Sequence, residues 1–229
     1  MVVVVGTDAR DSARDVELAG RYDGLFAAVG IGHQSAPDAT DADWAEIERL
    51  AAAERVVAIG ETGLDLHWTR DTIRAQEDLF ARHLDLARRA GLPAIVHSRS
   101  AEPRALEMVR SAAGVRAVFH CYTGPVAVAE EAVAAGHAVG FTGVVTYENA
   151  EDVRAVALAV GPGPVVVETD CPYMVPDSLR RRQVKHSEPA HVRATAEALA
   201  RLWGLSIADV ERTTTAAACD LFGVGRPGP

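Results

Sequence analysis

Val56-Val57-Ala58-Ile59-Gly60-Glu61 is a short apolar run closed by a carboxylate, and its reading decides the fold. Three further runs end in the same way. Ala94-Ile95-Val96 leads to His97, Ala117-Val118-Phe119 to His120, and Val165-Val166-Val167-Glu168-Thr169 to Asp170. Short Val/Ile-rich runs separated by helical stretches read as parallel strands of βαβ units. A barrel of such units builds its site where the strands end, at the C-terminal face. Glu61, His97, His120 and Asp170 are therefore expected to converge, although they lie far apart in the chain. Imidazole and carboxylate together suit one or two divalent cations such as Zn²⁺, Mn²⁺ or Mg²⁺.

Working outward, the sequence pattern predicts strands over 2–6, 26–31, 56–61, 94–98, 117–122, 138–142 and 165–170. Helices are expected over 12–22, 43–53, 73–90, 102–113, 127–135 and 150–160, then over 190–203 and 207–222. Gly91, Gly114 and Gly136 fall where helix C-caps belong, just before the next strand. A polar, arginine-rich loop over 179–188 breaks the rhythm, and the tail over 223–229 is expected to fray. The fold class is α/β, a TIM-barrel-like (β/α) barrel read as one domain over 1–229. Seven strands are one short of the eight that close such a barrel, so it is incomplete or variant at the first strand.

Bulk composition narrows the function classes. The opening Met1-Val2-Val3-Val4-Val5-Gly6 has no basic region and reads as a buried strand rather than a signal peptide. No apolar run approaches the roughly 18 residues of a membrane span. Cys121, Cys171 and Cys219 lack metal-ligand spacing and are too few for a disulfide framework, which points to a reducing, cytoplasmic setting. Both Cys121 and Cys171 are expected to pack away from any metal. A net charge of −9 gives no general attraction to nucleic acid, so a phosphate substrate would have to be held locally.

Alternate strand residues share a face, so Val57, Ile59 and Glu61 form aliphatic layers topped by a polar lip. An ionised carboxylate in such a wall is costly unless paired or metal-bound. One strand-end histidine alone is more often a hydrogen-bonded structural residue; four ligand types at four strand ends favour metal. Glu168 either orients a ligand from behind or forms a structural ion pair. Asp65 either supports Glu61 or caps the loop that follows, and capping is the stronger expectation. Arg99 and the cluster Arg180-Arg181-Arg182 are candidates for holding substrate phosphates. His67, His83, His137, His186 and His191 read as surface or loop histidines, with His83 exposed in mid-helix.

The strings Val57-Ala58-Ile59-Gly60-Glu61-Thr62-Gly63-Leu64-Asp65 and Leu92-Pro93-Ala94-Ile95-Val96-His97-Ser98-Arg99 resemble the TatD family of metal-dependent hydrolases. Phe119-His120-Cys121-Tyr122-Thr123-Gly124, Gly140-Phe141-Thr142-Gly143-Val144-Val145-Thr146 and Val167-Glu168-Thr169-Asp170-Cys171-Pro172-Tyr173 extend the resemblance along nearly the whole chain. It implies an amidohydrolase-like barrel with one or two divalent metals, acting as a deoxyribonuclease, often a 3′-to-5′ exonuclease. It also implies Glu61, His97, His120 and Asp170 as ligands, with Glu61 bridging two metals. Asp170 and Glu61 are the expected catalytic pair. Asp170 would orient the attacking water as general base, because the last strand's carboxylate touches metal and solvent together. DNA or another phosphodiester is the expected substrate.

The departures from the family pattern are specific. The usual opening His-x-His strand has no counterpart. The usual Gly-Ile-His-Pro-His reads Gly30-Ile31-Gly32-His33-Gln34, and the usual Arg-Glu reads Arg99-Ser100. The Arg-Gly…Asn-Glu-Pro loop reads Arg181-Arg182…Ser187-Glu188-Pro189, and the late Asn-Ala reads Ala217-Ala218. Three readings follow: a chain recorded from an internal start, a seven-stranded variant with one metal, or drift toward another substrate or toward none. An open barrel edge exposes unpaired backbone groups, so a homodimer covering that edge is an expected partner arrangement. An amide or ester hydrolase on a small molecule and a metal-impaired scaffold stay open beside the nuclease.

Overall fold

A computed structural model describes residues 1–225; the rest of the tail expected to fray, 226–229, lies outside the described residues. The chain forms two compact units, Met1–Val118 with the segment from Leu221, and Phe119–Asp220.

In the first unit the order is β1 (Val2–Val5), α1 (Ala9–Arg21), β2 (Leu25–Val29), α2 (Asp41–Leu50), β3 (Val56–Asp65), α3 (Ile73–Ala90), β4 (Ala94–Arg99) and α4 (Glu102–Ser111). β1 pairs with β2, β2 with β3 and β3 with β4, all parallel. β5 (Ala117–Phe119) spans the division into the second unit. That unit holds α5 (Val126–Ala134), β6 (Ala138–Phe141), α6 (Glu151–Val160), β7 (Val165–Val167), α7 (Asp177–Arg180), α8 (Val192–Trp203) and most of α9 (Ile207–Phe222). β6 and β7 are again parallel.

All seven expected strands are present, with instructive changes at their ends. β1 is half-exposed rather than buried, with Val2 40% accessible, because it stands first in the sheet order and pairs with β2 on one flank. β3 continues past Glu61 to Asp65. Its extension depends on glycine. A Cβ on Gly63, whose φ is +130°, would lie 2.1 Å from the His97 carbonyl, and one on Gly60 2.6 Å from the Ile95 carbonyl. Only side-chain-free positions allow β3 to approach β4 this closely. β5 and β7 stop at Phe119 and Val167, short of their expected ends. α1 and α2 start earlier than expected, capped by the side chains of Asp8 and Thr40. The polar loop over 179–188 begins inside the short helix α7.

α3 is the main support of β3. Gln76, Leu79, Phe80, His83, Leu84 and Ala87 recur at helical spacing and are buried together. Two of these are polar, and each holds strand-end backbone. Gln76 Oε1 accepts from the Asp65 amide at 2.7 Å. His83 Nε2 accepts from the Ile31 amide at 3.0 Å, while Nδ1 lies 2.8 Å from the Leu79 carbonyl. His83 is thus fully buried, contrary to its expected exposure. The helical period alone does not say which face of α3 carries it; the orphan amide of Ile31 does. His137, also expected at the surface, is buried too and packs edge-on against Phe119.

Burial pushes the His83 imidazole down to about 4, with the carbonyl of Leu79 acting the other way and the charge of Arg82 adding to the fall. The unfolded chain takes up this proton near 6.5, so the stability His83 contributes is complete above that pH. It is lost as pH falls from 6.5 toward 4. Urea unfolding at pH 7.5 and pH 5 is expected to show a drop of about 2 kcal/mol from this group, absent from the pH dependence of H83Q.

Candidate metal centre

His33, Glu61 and His97 form a cluster in the first unit, with one potential ligand atom from each within 4.8 Å of the others. Glu61 sits between Gly60 and Gly63 in β3, and its amide donates to the Gly6 carbonyl at 2.9 Å. His97 belongs to β4, paired with Gly63. His33 follows β2, in a segment tied down by Gly32 donating to the Thr7 carbonyl and by the buried Ser12 hydroxyl bonded to Gly30. Gly30 must lack a side chain, since a Cβ would lie 2.6 Å from the Glu61 carbonyl.

Asp65 organises these residues. It is fully buried, and its Oδ1 accepts from the amides of His67 at 2.8 Å and Trp68 at 2.6 Å. Oδ2 lies 3.0 Å from His97 Nε2 and 3.8 Å from His33 Nε2. Burial pushes its pKa up, but the Trp68 amide and then the two histidines outweigh that and hold it below the ordinary carboxylate value. Asp65 is therefore both a loop cap and the partner that orients His97. The loop it caps continues to Thr69, whose hydroxyl donates to the Asp65 carbonyl at 3.2 Å and lies 3.0 Å from His33 Nδ1.

This network orients both rings. Thr69 Oγ1, whose own proton goes to the Asp65 carbonyl, lies within hydrogen-bond reach of His33 Nδ1 and fixes that ring. His97 donates from Nε2 to Asp65, which leaves Nδ1 facing Glu61 Oε1 at 3.0 Å. The two imidazoles, oriented by Thr69 and Asp65, and the Glu61 carboxylate fit a divalent metal. The rings of His33 and His97 stack at 4.4 Å, which stiffens the pair.

In the second unit, Glu168 Oε1 accepts from the Cys121 amide at 2.7 Å, and Oε2 lies 3.5 Å from His120 Nδ1. Gly140 makes room for this carboxylate, since a Cβ there would lie 2.1 Å from Glu168 Oε1. Burial pushes the Cys121 thiol up to about 12, and the Glu168 charge adds to it, so the thiol stays protonated. Its sulfur lies 3.5 Å from the Thr142 hydroxyl, and Cys171 is exposed. Asp170 follows β7 with φ +49°, its carbonyl accepting from the Tyr173 amide. Among the arginines, Arg99 is exposed beside Trp68, Arg180 lies over the Tyr147 ring, and Arg181 pairs with Asp177 and Glu148. Arg182 is exposed.

The chain matches the model of the family described as TatD related DNase over residues 1–223. It belongs to that family. The uncharacterized metal-dependent hydrolase YabD of Bacillus subtilis is 35% identical over 223 residues, covering 96% of this chain and 86% of the relative. The 3′-5′ ssDNA/RNA exonuclease TatD of Cronobacter sakazakii is 32% identical over 225 residues, with the same coverage. Among solved structures, the TatD homologue YJJV of Escherichia coli K12 superposes with a TM-score of 0.90 at 27% identity, covering 97% of this chain and 86% of that one. This TatD family member is thus an α/β, TIM-barrel-like, metal-dependent hydrolase. No helix among the described residues is long and apolar enough to cross a membrane.

Sequence reasoning passed over His33, seeing only a broken Gly-Ile-His-Pro-His string in Gly30-Ile31-Gly32-His33-Gln34. The usable signal was a histidine three residues after a glycine that ends an apolar run. D65N is expected to weaken Mn²⁺ binding about 10- to 100-fold by calorimetry, as loss of a ligand-orienting carboxylate does, with the circular dichroism spectrum unchanged.

Proposed function

We propose that this TatD family hydrolase cleaves phosphodiester bonds at the end of single-stranded nucleic acid. The observation that carries the reading is the His33–Glu61–His97 cluster with Asp65 behind it. The named activity of the Cronobacter sakazakii relative supports it. In this reading His33, Glu61 and His97 hold a divalent cation, Mg²⁺, Mn²⁺ or Zn²⁺. A bound cation of this kind acidifies water and polarises a phosphoryl oxygen.

The chain's own groups do the rest. Asp65 holds His97 through Nε2, so Nδ1 would be the atom offered to the cation. Glu61, between two glycines and joined to Gly6 through its backbone, holds its carboxylate in place without a flexible loop. Arg99, at the exposed end of β4, meets a substrate phosphate, with Arg180, Arg181 and Arg182 offering further cations. His120 and Asp170 keep, on their motifs alone, the roles of metal ligand and water-orienting general base, and Glu168 orients His120.

The test is a 5′-labelled single-stranded oligodeoxynucleotide incubated with Mn²⁺. A ladder shortening from the 3′ end is expected, abolished by EDTA and restored by added Mn²⁺. H97A is expected to slow it by roughly two orders of magnitude or more. Metal-dependent hydrolysis of esters or lactones with an intact oligonucleotide would refute the phosphodiester reading.

A further inference from the structure

Trp68 is 68% exposed, whereas Trp44 is buried and Trp203 half-buried with its indole N–H bonded to the Ala157 carbonyl. It stands three residues after Asp65 and next to Thr69, which touches His33. A large indole in water at such a point is not held there by apolar packing. Its backbone is fixed by the 2.6 Å bond from its amide to Asp65 Oδ1. The loop is fixed at its start by the Leu66 amide on the Arg99 carbonyl, and at its end by Gln76 donating to the Thr69 carbonyl at 2.7 Å. The guanidinium of Arg99 lies 5.6 Å from the indole centroid, and the His67 ring meets it edge-on at 4.4 Å.

We infer that Trp68 is a stacking platform for a nucleobase of the substrate, with Arg99 beside it for the adjoining phosphate; this rests on the single-stranded phosphodiester reading above. Every base has a π face, so an aromatic platform binds single strands with little regard for sequence. In a duplex those faces are already stacked, so the platform favours single strands and frayed ends. Asp65 ties the platform to the metal cluster, since one oxygen holds Trp68 and the other holds His97. A base stacked on Trp68 thereby positions its own phosphate relative to the cluster. Trp68 is a positioning residue that leaves the reacting atoms alone.

The test uses the full chain with Mn²⁺ and two substrates, an oligothymidylate and the same oligomer with abasic 3′-terminal residues. W68A is expected to raise KM for the oligothymidylate on the order of tenfold with kcat within about twofold. W68F should restore most of that loss, and both forms should share one KM for the abasic oligomer. The exposed indole should also give wild type a fluorescence quench on binding oligothymidylate that W68A lacks. An unchanged KM in W68A, or equal losses on the two substrates, would overturn the platform while leaving the nuclease reading intact. A wild-type protein that binds Mn²⁺ yet hydrolyses neither oligomer would overturn both.

Discussion

The buried carboxylate of Asp65 is the constraint on which the first unit depends. An ionised group with no solvent access must have its lone pairs matched by donors. Two backbone amides and an imidazole N–H supply them here, at 2.6–3.0 Å. Satisfying that one group sets the path of the loop after β3, the orientation of the His97 ring and the position of Trp68 together. The loop in turn brings Thr69 to His33. Structure and chemistry therefore cannot be assigned separately to this residue. The capping role expected from sequence is real at Oδ1, and Oδ2 of the same carboxylate orients His97.

α3 carries the load from the other side. Gln76 and His83 lie on its core-facing side, where apolar residues would normally pack, and each meets a strand-end amide that would otherwise be orphaned. Both contacts lie just before the residues that matter, Ile31 ahead of His33 and Asp65 itself. A neutral, buried His83 is the cost of holding the first of these segments. Close approach is the second requirement. Gly30, Gly60 and Gly63 let three backbone segments meet around Glu61 at distances a Cβ would forbid.

The cluster in the first unit joins two strand-end residues to one from outside the strands. Glu61 and His97 are brought together as expected, at 3.0 Å. The third member, His33, sits in a turn beyond the end of β2. Strand periodicity has nothing to say about such a residue. His120, Glu168 and Asp170 lie in the second unit, where Glu168 stands beside His120. The position of Glu168 follows from the pleat, because Gly140 on the adjacent strand leaves the space it fills.

What the sequence by itself determined is local and periodic. Apolar runs of strand length, helical spacing, caps at Gly91 and Gly136, and polar residues closing each run were legible, because each depends on neighbours a few residues away. They were enough for the parallel α/β plan and for two members of the cluster. Tertiary structure alone decided how far β3 runs, which face of α3 carries His83, and that His33 joins Glu61 and His97. Each depends on a donor or acceptor distant in sequence, such as Ile31 for His83 and Thr69 for His33. A buried polar group takes whichever partner the fold brings to it, and no periodicity along the chain encodes that choice.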